Sequence, residues 1–154
     1  MDVAISGASG LVGTALAQSL RDDGHRVVRF VRGGLTGDDQ IGWDPDAGRI
    51  DAPALEGIDA VVHLAALSND PLGNLDPQLT FDINHLGSVR LARTAKNTGV
   101  PRFLFSSSCS TYGSAGDDLL DTPPSFNPVP PFRHSKASGR RIPAGAAVRP
   151  SFRV

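Results

Sequence analysis

The sequence predicts an α/β fold in which helices cover both faces of a mainly parallel sheet. Three observations carry that prediction. Short apolar runs without polar alternation recur along the first two thirds of the chain, as strands buried on both faces require. Segments of helical periodicity separate them, so that strands and helices alternate. The first run passes into its helix through a turn with three regularly spaced glycines, Gly7-Ala8-Ser9-Gly10-Leu11-Val12-Gly13.

Taken in order, Asp2 to Ser6 reads as the first strand, stopped at Gly7. Leu11, Val12, Ala15, Leu16, Ser19 and Leu20 return at helical spacing, and Asp22-Asp23-Gly24 closes that helix. Val27, Val28, Phe30 and Val31 form the second strand. Residues 33–53 are rich in Gly and Asp and are expected to be loop, with room for a small excursion. Ala60 to Ala65 is the third strand, and Leu67 to Asp76 a polar connection. Leu79, Ile83, Leu86 and Val89 mark one face of a long helix that runs to about Thr98 and stops at Gly99. Arg102 to Ser106 is the next strand. Prolines 123, 124, 128, 130 and 131 crowd the following stretch, and residues 137–154 show weak periodicity with many Arg, Pro, Gly and Ala. The expected division is a Rossmann-type domain over residues 1–136 and a poorly ordered basic tail over 137–154.

Composition narrows the functional classes. The 154 residues are 40% hydrophobic and 20% charged, with a net charge of -1, so no global field draws in nucleic acid or an anionic membrane. The single cysteine, Cys109, excludes an internal disulfide, and with no apolar run of membrane length or leader-like start the expectation is a cytoplasmic chain. No metal site is expected. All acidic residues lie at or before Asp121, whereas Arg133, Lys136, Arg140, Arg141, Arg149 and Arg153 gather near the end. A basic tail can contact nucleic acid, but an unstructured terminus accounts for it more simply.

The glycine turn has a specific chemistry. One glycine supplies the dihedrals of a tight turn, one lets a pyrophosphate approach the backbone, and one lets the helix pack closely on the strand. The free amides and positive end of the helix then face the phosphates. Gly7, Ser9, Gly10, Leu11, Val12 and Gly13 are therefore candidate dinucleotide-binding residues. The second strand ends in Arg29-Phe30-Val31-Arg32, where an NAD-selective site would place an acidic residue for the ribose 2′-hydroxyl. Arg32 suits a 2′-phosphate instead. NADP is favoured over NAD, with a solvated arginine as the alternative.

Four segments in order resemble the extended short-chain dehydrogenases, specifically the NAD-dependent epimerase/dehydratase family: the glycine turn, Asp59-Ala60-Val61-Val62-His63-Leu64-Ala65-Ala66, Asn84 in the long helix, and Phe105-Ser106-Ser107-Ser108-Cys109-Ser110-Thr111-Tyr112-Gly113. Up to about Ala65, including Trp43-Asp44-Pro45, the chain is more similar to the epimerase-like, NADP-binding branch, and from Asn69 to Asn127 to nucleotide-sugar epimerases. The resemblance implies that the strand end His63-Leu64-Ala65-Ala66 lines the cofactor and that Asn84 faces the active site; an ordinary helix-surface asparagine is the alternative. It implies that Ser108 hydrogen-bonds the substrate and that Lys136 binds the nicotinamide ribose and lowers the pKa of a tyrosine that transfers the proton.

At the tyrosine position stands Phe132, in Phe132-Arg133-His134-Ser135-Lys136. An unperturbed phenol, with a pKa of about 10, is a poor base until a neighbouring cation favours its ionised form, and Phe132 has no phenol at all. Family members also continue past this helix into a substrate lobe, whereas here Ser138-Gly139-Arg140-Arg141-Ile142-Pro143 breaks it. The expectation is a truncated chain lacking the C-terminal lobe, with exposed apolar faces that favour a homo-oligomer. Two functions stand side by side: an NAD(P)-dependent epimerase, dehydratase or reductase acting on a nucleotide-sugar or related substrate, and a catalytically silent dinucleotide-binding module.

Overall fold

The computed structural model describes residues 1–67 and 76–107. Among them, six strands form one sheet in the order β4-β3-β2-β1-β5-β6. The strands are β1 (Asp2–Ser6), β2 (Arg26–Val31), β3 (Gln40–Asp44), β4 (Arg49–Ile50), β5 (Ala60–His63) and β6 (Phe103–Phe105). All neighbours pair in parallel except β3 with β4, which form an antiparallel hairpin.

Helix α1 (Leu11–Asp22) follows β1. Between β5 and β6 a helical segment has three parts: α2 (Pro77–Phe81), a π-helical stretch Asp82–Leu86, and α3 (Gly87–Asn97). Asp76 starts it by accepting a hydrogen bond from the Leu79 amide at 2.9 Å, which satisfies one of the amides left over at a helix start. Helices α1 and α3 end alike, with the amide of His25 returning to Leu20 and that of Val100 to Ala95, both at 2.9 Å.

Alternation along the strands separates two cores. Val3, Ile5, Val27 and Ala60 pack with Ala17 of α1 on one face. Ala4, Val28, Phe30, Ile41, Trp43 and Val61 pack with Leu91 and Ala95 of α3 on the other. Apolar side chains on both faces of the central strands produce the unbroken hydrophobic runs of the sequence. Helices on both faces of a sheet that is parallel but for one hairpin make this a Rossmann-type α/β fold.

One expectation is refined. Residues 33–53 are mostly turn and loop as expected, but their excursion is a strand hairpin, β3 with β4, that joins the main sheet. Ile41 and Trp43 are 1% and 6% exposed, and their period-2 spacing places both in the core beside β2. The surrounding Gly and Asp residues mask that five-residue strand in the sequence. The expected third strand is also two residues shorter than anticipated, since the ladder ends at His63. The long helix stands where expected, interrupted by the π-helical stretch. Among the described residues no helix is long and apolar enough to cross a membrane. Prolines 123–131, the tail 137–154, and Ser108, Cys109, Tyr112, Phe132 and Lys136 all lie outside the described residues.

Candidate functional site

The carboxyl ends of β1, β2 and β5 share one edge of the sheet because these strands run parallel. β1 lies between β2, reached by one crossover, and β5, where the chain returns to the other side. That reversal opens the crevice in which α/β sheets hold ligands.

The glycine turn sits in this crevice, and the packing explains its glycines. A β-carbon on Gly7 would lie 2.9 Å from the Ala65 amide nitrogen, and Gly7 has φ +74°; both space and dihedral exclude a side chain. A β-carbon on Gly13 would lie 2.1 Å from the Gly7 carbonyl oxygen, so buried Gly13 lets α1 press onto the end of β1. Gly10 is extended at the helix start, and its amide closes the turn onto the Gly7 carbonyl at 3.0 Å. Among the described residues no side chain caps α1, and its first turn holds no acidic residue. Those amides are oriented for an anion. Ser9 and Gly10 are exposed, and Leu11 and Val12 are 92% and 65% exposed: the start of α1 presents apolar side chains to solvent, a surface suited to being covered.

Opposite the turn, Leu64, Ala65 and Ala66 leave β5 half-buried. Ser6 Oγ accepts the amides of Leu64 and Ala65, each at 3.2 Å, and thereby holds the two sides of the crevice together. Asn84 is fully buried in the π-helical stretch, not on a helix surface. Its Oδ1 accepts the Leu67 amide at 2.8 Å and its Nδ2 donates to the Leu67 carbonyl at 3.0 Å. It therefore fixes the backbone immediately beyond Ala66. Gly7, Gly10, Gly13, the Leu64–Ala66 segment and Asn84 thus converge on one edge.

Arg32 follows β2 on the same edge, exposed and without an ion-pair partner among the described residues. Nearby, Val31, Gly33, Gly42, Trp43, Asp44, Arg49, Ile50 and Asp51 line an open groove of about 350 Å³. The Ala47 amide and the Arg49 guanidinium hold the Asp44 carboxyl below the usual carboxylate range. Two contributors were not singled out from sequence, Ser6 and Ser88. Their signals were faint: Ser6 precedes the first glycine, and Ser88 stands one helical turn past Asn84.

Residues 3–148 match the NAD-dependent epimerase/dehydratase family. The chain belongs to that family. It is similar to an epimerase family protein of Mycobacterium leprae, 34% identical over 125 residues that cover 77% of this chain and 39% of that protein. It is also similar to a UDP-glucose 4-epimerase of Rhizobium leguminosarum bv. trifolii, 28% identical over 142 residues that cover 87% of this chain and 43% of the relative. Among solved structures, MoeE5 in complex with UDP-glucose and NAD superposes with a TM-score of 0.82 at 29% identity, over 97% of this chain and 50% of that one. The chain thus spans half or less of the length of these epimerase/dehydratase relatives.

Proposed function

We propose that this chain binds a nicotinamide dinucleotide across the β1–β5 crevice, as the cofactor-holding part of an epimerase/dehydratase acting on a nucleotide-sugar or related carbonyl or hydroxyl substrate. One observation carries the reading. The space a β-carbon would fill at Gly7 and Gly13 is already taken by backbone, so these glycines draw the turn and the uncapped start of α1 together into an anion cradle. MoeE5, one of the similar solved structures, is described in complex with UDP-glucose and NAD, which supports both the cofactor class and the substrate class.

In this reading the first-turn amides of α1 and the backbone of Gly7 to Gly13 hold the pyrophosphate, while Leu64, Ala65 and Ala66 flank the cofactor. Arg32 meets a ribose 2′-phosphate, which favours NADP over NAD; its exposure and its lack of an acidic partner among the described residues support that preference. When bound, the nicotinamide supplies hydride transfer to and from the substrate carbon. From the chain, Ser108 would hydrogen-bond the substrate oxygen and Lys136 would hold the nicotinamide ribose, both by family resemblance.

The proton transfer that accompanies hydride movement has no phenol at position 132. A positioned general acid or base contributes about 10²- to 10⁴-fold. We therefore read this polypeptide as competent to bind the cofactor and deficient in turnover.

Calorimetric titration with NADPH and then NADH tests the proposal. Saturable binding, tighter for NADPH, is the expected result. Binding of neither cofactor overturns it, and equal binding of both removes the role given to Arg32.

A further inference from the structure

A buried chain of hydrogen bonds joins α3 to the end of β1, and valence counting fixes where its protons lie. Ser88 Oγ donates to the Asn84 carbonyl at 2.6 Å. A hydroxyl has one proton, so at its contact with His63 Nε2, at 2.7 Å, Ser88 Oγ accepts and the ring nitrogen donates. In a neutral imidazole with its proton on Nε2, Nδ1 is an acceptor. Nδ1 faces Ser6 Oγ at 2.5 Å, so Ser6 gives its proton to the ring. That leaves the lone pairs of Ser6 Oγ for the amides of Leu64 and Ala65. Each donor points the same way, from the β5 end through Ser6, His63 and Ser88 to Asn84, an arrangement in which successive bonds strengthen one another.

His63 could equally well serve as packing: it is fully buried, with Trp43, Phe103 and Phe105 ring centroids 5.5, 6.1 and 5.7 Å away. Packing alone does not require a particular tautomer. The hydrogen bonds do. With the ring proton on Nδ1, three donors (the ring and the two amides) would compete for the two lone pairs of Ser6 Oγ, and Ser88 Oγ, whose proton goes to the Asn84 carbonyl, would face Nε2 with no proton between them.

We propose that His63 is a positioning residue, held as the neutral Nε2–H tautomer, that keeps Ser6 Oγ aimed at the Leu64 and Ala65 amides and so sets the β5 end against the glycine turn. Its consequence for cofactor affinity rests on the dinucleotide reading given above. Its consequence for the backbone does not. Two substitutions separate the arms of the ring, since asparagine places its oxygen near Nδ1 and glutamine places its amide near Nε2. His63→Asn retains an acceptor for Ser6, and His63→Gln retains only the donor to Ser88. Both remove aromatic packing alike.

Hydrogen exchange at the Ala65 amide of the full chain is the primary measurement, because the Leu64 amide also donates to the Ser6 carbonyl at 3.2 Å and keeps that protection. We expect exchange at least tenfold faster in His63→Gln than in His63→Asn, with NADH affinity at least threefold weaker in the former. Equal acceleration in both variants overturns the proposal and leaves His63 a packing residue. Imidazole ¹⁵N spectra of the unaltered chain decide the matter independently should either variant fail to fold: a ring proton on Nε2 is expected, and one on Nδ1 overturns the proposal. Absence of NADH and NADPH binding to the unaltered chain would remove the dinucleotide reading, while the exchange and ¹⁵N results would still decide the role of His63.

Discussion

The β-carbon that Gly13 lacks would stand 2.1 Å from the carbonyl oxygen of Gly7. Both partners in that contact are backbone, so no side chain can rotate away to make room. Gly13→Ala must push α1 off the end of β1, and overpacking of this kind costs about 3 kcal/mol when the surroundings cannot yield. Urea unfolding should show that loss, and NADPH binding should disappear with it. Gly34→Ala is the control: nothing lies within 4 Å of its β-carbon position, so its effect should stay within about 0.5 kcal/mol.

Arg32 governs cofactor choice if its guanidinium meets a 2′-phosphate. Charge-assisted hydrogen bonds contribute about 1.5–3 kcal/mol, or roughly ten- to a hundredfold in affinity. Arg32→Asp should weaken NADPH by at least tenfold, and the carboxylate should bring NADH to equal or tighter binding, as an acidic residue at this strand end holds a ribose hydroxyl. Paired titrations measure the ratio. A ratio that does not change would show Arg32 to be only a solvated surface charge.

Asn84 is a test of how the crevice is braced. Its side chain satisfies both backbone groups of Leu67, and truncation strands a donor and an acceptor. Asn84→Ala should cost about 2–3 kcal/mol, near the upper end for a buried group left without its partner. Asn84→Asp should be worse at neutral pH, because aspartate cannot donate to the Leu67 carbonyl and brings a charge into a fully buried position. Its deficit should shrink as the pH is lowered and the carboxyl is neutralised. Thermal melts of both variants at pH 7.5 and pH 5 would reveal the crossover.

Burial of His85 sets the sign of a pH dependence expected of the fold. Its ring lies against Phe81, with centroids 4.8 Å apart, and its Nδ1 is buried without a hydrogen-bond partner among the described residues. Burial pushes its pKa below the ordinary value of about 6.5. Protonation is therefore easier in the unfolded chain than in the folded one. The stability linked to His85 is complete above about pH 6.5 and falls as the pH drops through that value towards the lower folded pKa. Melting temperature should decline between pH 7.5 and pH 5.5, and His85→Gln should flatten part of that decline. An identical slope in the variant would assign it to other groups.

The sequence exposed the parts of this fold whose residues act locally. The glycine turn reads directly, since spacing, strand and helix occur within residues 2–22, and α1 and α3 announce themselves by periodicity. β3 did not, because its identity depends on pairing with β2: Arg29, Phe30 and Val31 align with Gln40, Ile41 and Gly42, a relation absent from any local window. The same holds at the site. Gly7, Gly10, Gly13 and Leu64–Ala66 were legible, but Ser6 and Ser88 gain their meaning only when β1, β5 and α3 converge on His63. Asn84 was legible as a motif residue and not as a clamp on Leu67, because the π-helical stretch that buries it has no sequence signature.

Restoring a hydroxyl at position 132 tests the proposal that cofactor binding and turnover are separated in this chain. Lys136 lies four residues on, one helical turn if this stretch is helical as the family resemblance implies, and a cation at that spacing lowers the pKa of a phenol by favouring its ionised form. The chain as it stands should bind dinucleotide without reducing it when offered UDP-glucose, UDP-galactose or UDP-glucuronic acid. In Phe132→Tyr, conversion of the nucleotide-sugar, followed by chromatography of the products, should show a rate gain on the order of 10²-fold or more, the contribution of a positioned acid or base. The double variant Phe132→Tyr with Lys136→Met should lose that gain while keeping a tyrosine, because the phenol then returns towards its ordinary pKa. No gain in the single variant would show that the missing phenol is not the sole defect and would direct attention to the residues that bind substrate.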